Sequence, residues 1–328
     1  MTDATHAEFA LSLHRELPAG NRCWSPFSVA AALCAASDVA GGDTRAAVSD
    51  VLRADVERTA ELLADAAHDD AVTSTDTIWA DPSGPLAEHP GVRPLVLDEN
   101  AHVEINKVVA EQTRGLVPEA VPPGAITPGT LAVLVNALHA KAAWTKEFPA
   151  EDTLPRKFRT PAGKVMAPTM RRVGTFSHVA RHGWQAVRLP CTEAMDVVAL
   201  VPDAPLAHAR LDGETFADLL TGLSPTAIDL YLPQVDLTAA TELADHLRAL
   251  GAGPLFDSWL MVEKVLHQAK LTLDEQGVEG AAVTTMAAPM SAPPPREARP
   301  VRFDRPFLLA VRHRTTGLLL FLAELTNP

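Results

Sequence analysis

The run Leu131-Ala-Val-Leu-Val-Asn-Ala-Leu-His-Ala-Lys-Ala-Ala-Trp144 restricts the fold more than any other stretch of the chain. Its apolar residues do not alternate with polar ones, so it predicts a central strand covered on both faces rather than one with a face in water. The covering layers must come from elsewhere in the sequence, and the N-terminal part supplies candidates. Phe9, Leu13 and Leu17 mark one face of a first helix ending near Pro18-Ala-Gly20. Ser25-Pro26 opens a second, because Ser is a good cap and Pro suits the first helical position. Val29 to Ala36 are apolar all round, which puts this helix in the core. Gly41-Gly42 stops it, Asp43-Thr44 caps a third helix bearing Ala47, Val48, Val51 and Leu52, and Val56 to Ala67 read as a fourth. Thr73 to Ala80 change to strand character, Pro94 to Asn100 are helix-like, and Asn106 to Thr113 before Gly115 allow only a short helix. Strand-like runs dominate Arg156 to Pro202 and Ile228 to Leu237, and a further helix carries Leu243, Leu247 and Leu250 up to Gly251.

Toward the C-terminus, Leu271-Thr-Leu-Asp-Glu-Gln-Gly-Val-Glu-Gly-Ala-Ala-Val-Thr-Thr285 reads as strand and exposed loop at once. Gly277 permits a sharp change of direction, and Val278 to Ala288 are small or β-compatible, so a sheet could accept them. Pro293 to Pro295 forbid helix and central-strand pairing, so the chain around Met290-Ser291 projects as a loop. A flexible linker would have the same composition. However, Val301 to Arg314 and Leu318 to Leu325 read as a buried hairpin turning at Thr316-Gly317, so the loop joins two strand regions of one core. Helices early, strands late and no composition break give a single α+β domain over residues 1–328.

A net charge of −13 argues against nucleic acid and anionic membranes as partners. Cys23, Cys34 and Cys191 lack the spacing of a zinc site or redox dithiol and read as buried thiols, so neither metal nor cofactor is expected. Met1-Thr-Asp-Ala-Thr-His-Ala-Glu8 has no basic region followed by an apolar core, which predicts a cytoplasmic start, with export by another route left open. An enzymatic reading as a hydrolase has only scattered Ser, His and Asp to rest on, because no Gly-x-Ser-x-Gly turn or His-Glu-x-x-His pair occurs.

Several motifs, in order, resemble those of the serpins, a family of serine protease inhibitors. They are Asn21-Arg-Cys-Trp-Ser-Pro-Phe-Ser28, Leu134-Val-Asn-Ala-Leu-His-Ala-Lys-Ala-Ala-Trp144 with Phe148, Val265-Leu-His-Gln-Ala269, Phe303-Asp-Arg-Pro-Phe-Leu308 and Leu320-Phe-Leu-Ala-Glu-Leu-Thr-Asn-Pro328. The chain resembles a short, prokaryotic-type member. It departs from the family pattern with Val278 where Thr is usual, Gly280 where Ala is usual, and Ala323-Glu324 for a Gly-basic pair.

The resemblance implies a large central mixed sheet, two further sheets, about eight helices, and a reactive-centre loop with its hinge over about 275–299. It implies a metastable monomer that is no enzyme. A serine protease, or as a second class a cysteine protease, attacks the loop. It is trapped as an acyl-enzyme when the hinge Glu275, Gly277, Val278, Glu279, Gly280, Ala281, Ala282, Val283 and Thr284 enters the sheet. Cleavage is expected at Met290-Ser291, with Ser291-Ala292 as the alternative, and the thioether suits elastase-, chymotrypsin- or subtilisin-like pockets. Ser25, Ser28, Asn136 and His267 match the shutter where the sheet parts, although a helix cap and satisfied core polar groups explain each of them singly. Trp144, with Glu275, matches the breach where insertion begins. A non-inhibitory chaperone or storage member is the alternative function.

Overall fold

The computed structural model describes residues 3–40, 42–68, 72–84, 86, 88–113, 115, 117–127, 129–192, 194–257, 262–278 and 298–328. Elements are numbered along the chain. A seven-stranded sheet has the order β3 (Val92–Pro94), β2 (Val72–Ala80), β4 (Ala132–Ala140), β12 (Val262–Leu273), β13 (Gly277–Val278) and β5 (Ala142–Ala143), with β11 (Val235–Glu242) also paired to β12. β4 and β12 are parallel, which makes the sheet mixed. In a nine-stranded sheet the path runs β1 (Arg22–Trp24), β16 (Leu319–Leu325), β15 (Phe307–His313), β9 (Met195–Pro202), β8 (Trp184–Pro190), β7 (Gly163–Arg181), β10 (Ser224–Pro233) and β14 (Arg299–Arg302). β6 (Leu154–Thr160) joins it through β7. The two smaller sheets are thus continuous through β7, whose 19 residues pair with β6 and β10 toward one end and with β8 at the other.

The continuous apolar run in β4 has the explanation expected of it. Ala132, Leu134, Leu138 and Ala140 face the main core, which includes Val29, Ala32 and Leu33 of α2 (Pro26–Ala40). Val133, Val135 and Ala137 face a second core built on Ile105 and Val109 of α5 (Ala101–Gln112). Strand alternation thus sends one set to each side, and both sides are apolar because a helix lies on each.

The first helix, α1, spans Asp3–Glu16. α4 spans Val56–Ala67 as its pattern requires, and Asp55 caps it by accepting from Arg58 N at 3.0 Å. α3 (Gly42–Leu52) differs from expectation, starting before Asp43-Thr44. Thr44 Oγ1 donates to Pro254 O at 3.2 Å, so a tertiary partner claims the hydroxyl that would have capped. Residues Pro94 to Asn100 are not helical: Pro94 ends β3 against Ala80, and Leu97 N donates to Asp81 Oδ2 at 3.1 Å. The helix begins at Ala101 instead and is 12 residues long, with Ala101, Ile105 and Val109 buried. Past Leu247 the chain does not stop at Gly251, which takes a φ of 108° inside a widened turn before Gly253–Asp257 resume the helix. The C-terminal hairpin of β15 and β16 is antiparallel and almost wholly buried. No helix among the described residues is long and apolar enough to cross a membrane.

Candidate functional site

Two places along the β4–β12 seam gather the residues singled out in the sequence. At the lower one, Ser25 caps α2, its Oγ accepting from Ser28 N at 3.0 Å. The Ser25 N–H donates to His267 Nε2 at 2.9 Å. A ring nitrogen that accepts a backbone N–H carries no proton of its own, so His267 is neutral and donates through Nδ1 to Asn136 Oδ1 at 2.9 Å. Asn136 Nδ2 donates to Ser28 O at 3.0 Å and closes the ring. Asn136 and His267 are also register partners across the parallel seam. All four residues are at most 2% exposed, and burial lowers the His267 pKa from its ordinary 6.5 to about 4. Ser28 Oγ is buried with no hydrogen-bond partner among the described residues.

This chemistry excludes a catalytic Ser–His pair. The imidazole meets the backbone N–H of Ser25 rather than its hydroxyl, and neither group reaches solvent.

At the upper place the seam is open. β4 and β12 pair from Ala132 and Val262 as far as Ala137 and Gln268, and above that β13 lies between β12 and β5. Val278 sits opposite Leu273 on one side and Ala142 on the other, and is fully buried. The turn leading into it is clamped. Trp144 N donates to Gln276 O at 2.8 Å, Trp144 Nε1 to Asp274 O at 2.8 Å, and Phe148 N to Glu275 O at 2.9 Å. Asp274 Oδ1 accepts from Gln276 N and Gly277 N at 2.9 and 3.2 Å, a side-chain turn that fixes the reversal.

Gly277 is required here for a different reason than the sequence suggested. It lies against β5 so closely that a Cβ would stand 2.2 Å from Ala142 O and 2.8 Å from Ala143 Cα. Close approach rather than a positive φ excludes a side chain. Glu275 is more than a surface acid, since both its oxygens accept from Gln234 Nε2 at 2.9 and 3.0 Å. Burial pushes its carboxyl pKa up, but hydrogen bonds, that of Gln234 among them, outweigh it and hold the pKa below its ordinary value.

Glu279, Gly280, Ala281, Ala282, Val283, Thr284, Met290, Ser291 and Ala292 lie outside the described residues. Of the groups at the upper place, sequence reasoning missed Asp274 and Gln234. The Asp274-Glu-Gln-Gly277 turn pattern could have indicated the first. Nothing local marks Gln234, which is 41 residues from its partner.

The family model described as Serpin (serine protease inhibitor) matches residues 92–328. The chain belongs to the serpin family. Serpins are protease inhibitors, not catalytic enzymes. An uncharacterized serpin-like protein of Thermococcus kodakarensis is 27% identical, over 98% of this chain and 84% of its own length. The alpha-1-antiproteinase of Callosciurus caniceps is 29% identical over 98% and 88%, and the leukocyte elastase inhibitor of Bos taurus 27% identical over 99% of each. Among solved structures, the thermophilic serpin tengpin in its native state superposes with a TM-score of 0.85 at 19% identity, covering 99% of this chain and 94% of its own. Human thyroxine-binding globulin complexed with thyroxine gives the same TM-score at 21% identity, covering 99% and 98%.

Proposed function

We propose that residues 1–328 form one inhibitory domain, a monomeric suicide substrate of elastase-, chymotrypsin- or subtilisin-like serine proteases, with cysteine proteases as a second target class. In this reading about 275–299 is the hinge and reactive-centre loop. Cleavage after Met290 leaves the protease esterified to the loop, and the hinge inserts between β4 and β12 before the ester hydrolyses. The observation that carries the reading is a parallel seam that is closed at Asn136–His267 and held open above by the hinge residues Gly277 and Val278.

The geometry supports it in three ways. The new strand would run antiparallel to both neighbours, as β13 already does, replacing a parallel pair with two antiparallel ones, which are the more stable per residue. Its length also suits the seam. Val278 to Met290 spans ~40 Å at about 3.3 Å per residue, close to the ~36 Å from Ala143 down to Ala132. The register suits it as well. Val278 pairs with Ala142 and with Leu273, and continuing either antiparallel register brings Thr284 opposite Asn136 and opposite His267. Thr284 would then enter the hydrogen-bonded ring of the shutter, where Ser28 Oγ has an unspent donor and acceptor. On that register Val278, Gly280, Ala282 and Thr284 face the α2 core, and Glu279 faces the other side.

The test is incubation with elastase-, chymotrypsin- and subtilisin-like proteases followed by denaturing electrophoresis. A denaturation-resistant complex is expected. Cleavage without a complex would assign the chain to the non-inhibitory serpins.

A further inference from the structure

We propose an anion site on the sheet formed by β14, β10, β7 and β6, taking a compact ligand with two or more phosphate charges. Tyr231 of β10 has Arg171 of β7 and Arg302 of β14 as its register partners, so the three side chains form one row on one face. Arg302 Cζ lies 4.2 Å from the Tyr231 ring centroid, Arg156 Cζ 4.9 Å and Arg171 Cζ 5.5 Å. Three guanidiniums around one ring repel one another, and in a chain of net charge −13 the concentration needs a reason. Asp229 accounts for one of them. It takes two hydrogen bonds from Arg171, at 2.9 and 3.1 Å, and one from Tyr231 Oη at 2.7 Å.

The other two have no hydrogen-bonded carboxylate of this kind, although Asp229 also feels the charge of Arg302 through space. Among the described residues neither Arg156, Arg302 nor the adjacent Lys157 has an ion pair, and Arg156 Nε is buried with no acceptor. Arg156, Lys157 and Arg302 line a cavity of about 390 Å³, with Thr169 and Tyr231. The carboxylate in its wall, Asp304, is already engaged by Arg159 and Arg305 at 3.0 and 3.2 Å. Planar guanidinium forks match phosphate oxygens in pairs, and the volume admits a diphosphate or a small organic phosphate more readily than a lone ion. The site stands apart from the seam, on the strand that resumes the chain after the loop, and does not rest on the inhibitory reading.

Tyr231 is the only tyrosine in the chain, so ring-labelled ¹³C-tyrosine puts a single NMR reporter in the site. Titration with pyrophosphate at fixed ionic strength should give a saturable shift that chloride does not produce. Arg156→Gln with Arg302→Gln should weaken binding at least tenfold, while Arg58→Gln on α4 should leave it unchanged. If the double variant fails to fold, the exposed Arg302→Gln alone should still weaken binding several-fold. Long-chain polyphosphate that binds no more tightly per phosphate than pyrophosphate supports a compact ligand. Binding of the polymer alone, a shift that follows ionic strength only, or equal affinity in all variants overturns the site.

Discussion

His267 is kept neutral by its partner as much as by its burial. Protonating Nε2 would set its new N–H against the Ser25 N–H, 2.9 Å away, at a buried site. The folded pKa, about 4, lies below the ordinary 6.5, so below pH 6.5 the unfolded chain binds the extra proton and the folded one does not. The contribution is therefore complete above pH 6.5 and lost progressively as pH falls toward 4, at about 1.4 kcal/mol per unit. His6, also buried and lowered to about 4, adds a second such slope. Denaturant unfolding at pH 7 and pH 5 should accordingly show a loss of stability, and His267→Gln should reduce that loss by one proton's share. Equal losses in variant and parent would mean that the ring is not held as the hydrogen bonds imply. The ring's members were legible in the sequence, its wiring was not. A cap, an amide and an imidazole from positions as far apart as 25 and 267 can be grouped by resemblance, but only the register of β4 on β12 turns them toward one another.

Among the elements, the hinge strand has the clearest division of faces. Val278 is already buried between Leu273 and Ala142, so Val278→Arg would require a charge to be buried there without a partner. Arg should expel the hinge from the seam, leave the fold and loop cleavage intact, and turn inhibitor into substrate. A stoichiometry of inhibition unchanged from the parent would remove either the hinge assignment or the insertion step. Farther along, Met290→Arg should gain activity toward trypsin-like enzymes, whose pocket carboxylate pairs with Arg, and lose it toward elastase- and chymotrypsin-like ones. If Ser291→Arg makes that switch and Met290→Arg does not, the bond is the later one, and the released peptide will begin at Ala292. Elements with strong local signals matched their reading: α4 with Asp55 before it, α2 behind Ser25-Pro26, and the apolar C-terminal hairpin. Those set by distant partners did not. α5 has no side-chain cap at Asn100 and gains its length from packing on the sheet, while Thr44 is diverted to Pro254.

For the whole molecule, chain connectivity bears on whether the proposed insertion needs a cut. With Met290 at the lower end of the seam, the chain from there to Arg299 of β14 could span at most about 32 Å. It would have to return along ~40 Å of strand and cross to the other sheet. On the proposed reading, and with β14 kept in its sheet, the intact chain is too short to insert fully, and cutting one bond removes the constraint. The inserted strand replaces the single β4–β12 ladder with two, a net gain of about ten ladder bonds, each contributing about 1 kcal/mol net. Against this, Gly280 costs roughly 0.5 to 1 kcal/mol when ordered into a strand, too little to reverse the sign. Melting followed before and after limited cleavage near Met290 should therefore show a midpoint raised by ~20 °C or more, where an ordinary nicked protein loses stability. Val278→Arg, cleaved at the same bond, should show little of the rise, because its hinge cannot enter. An unchanged or lower midpoint in the cleaved parent would mean that the seam between β4 and β12 is a fixed feature of the sheet, and the fold would then serve a purpose other than trapping.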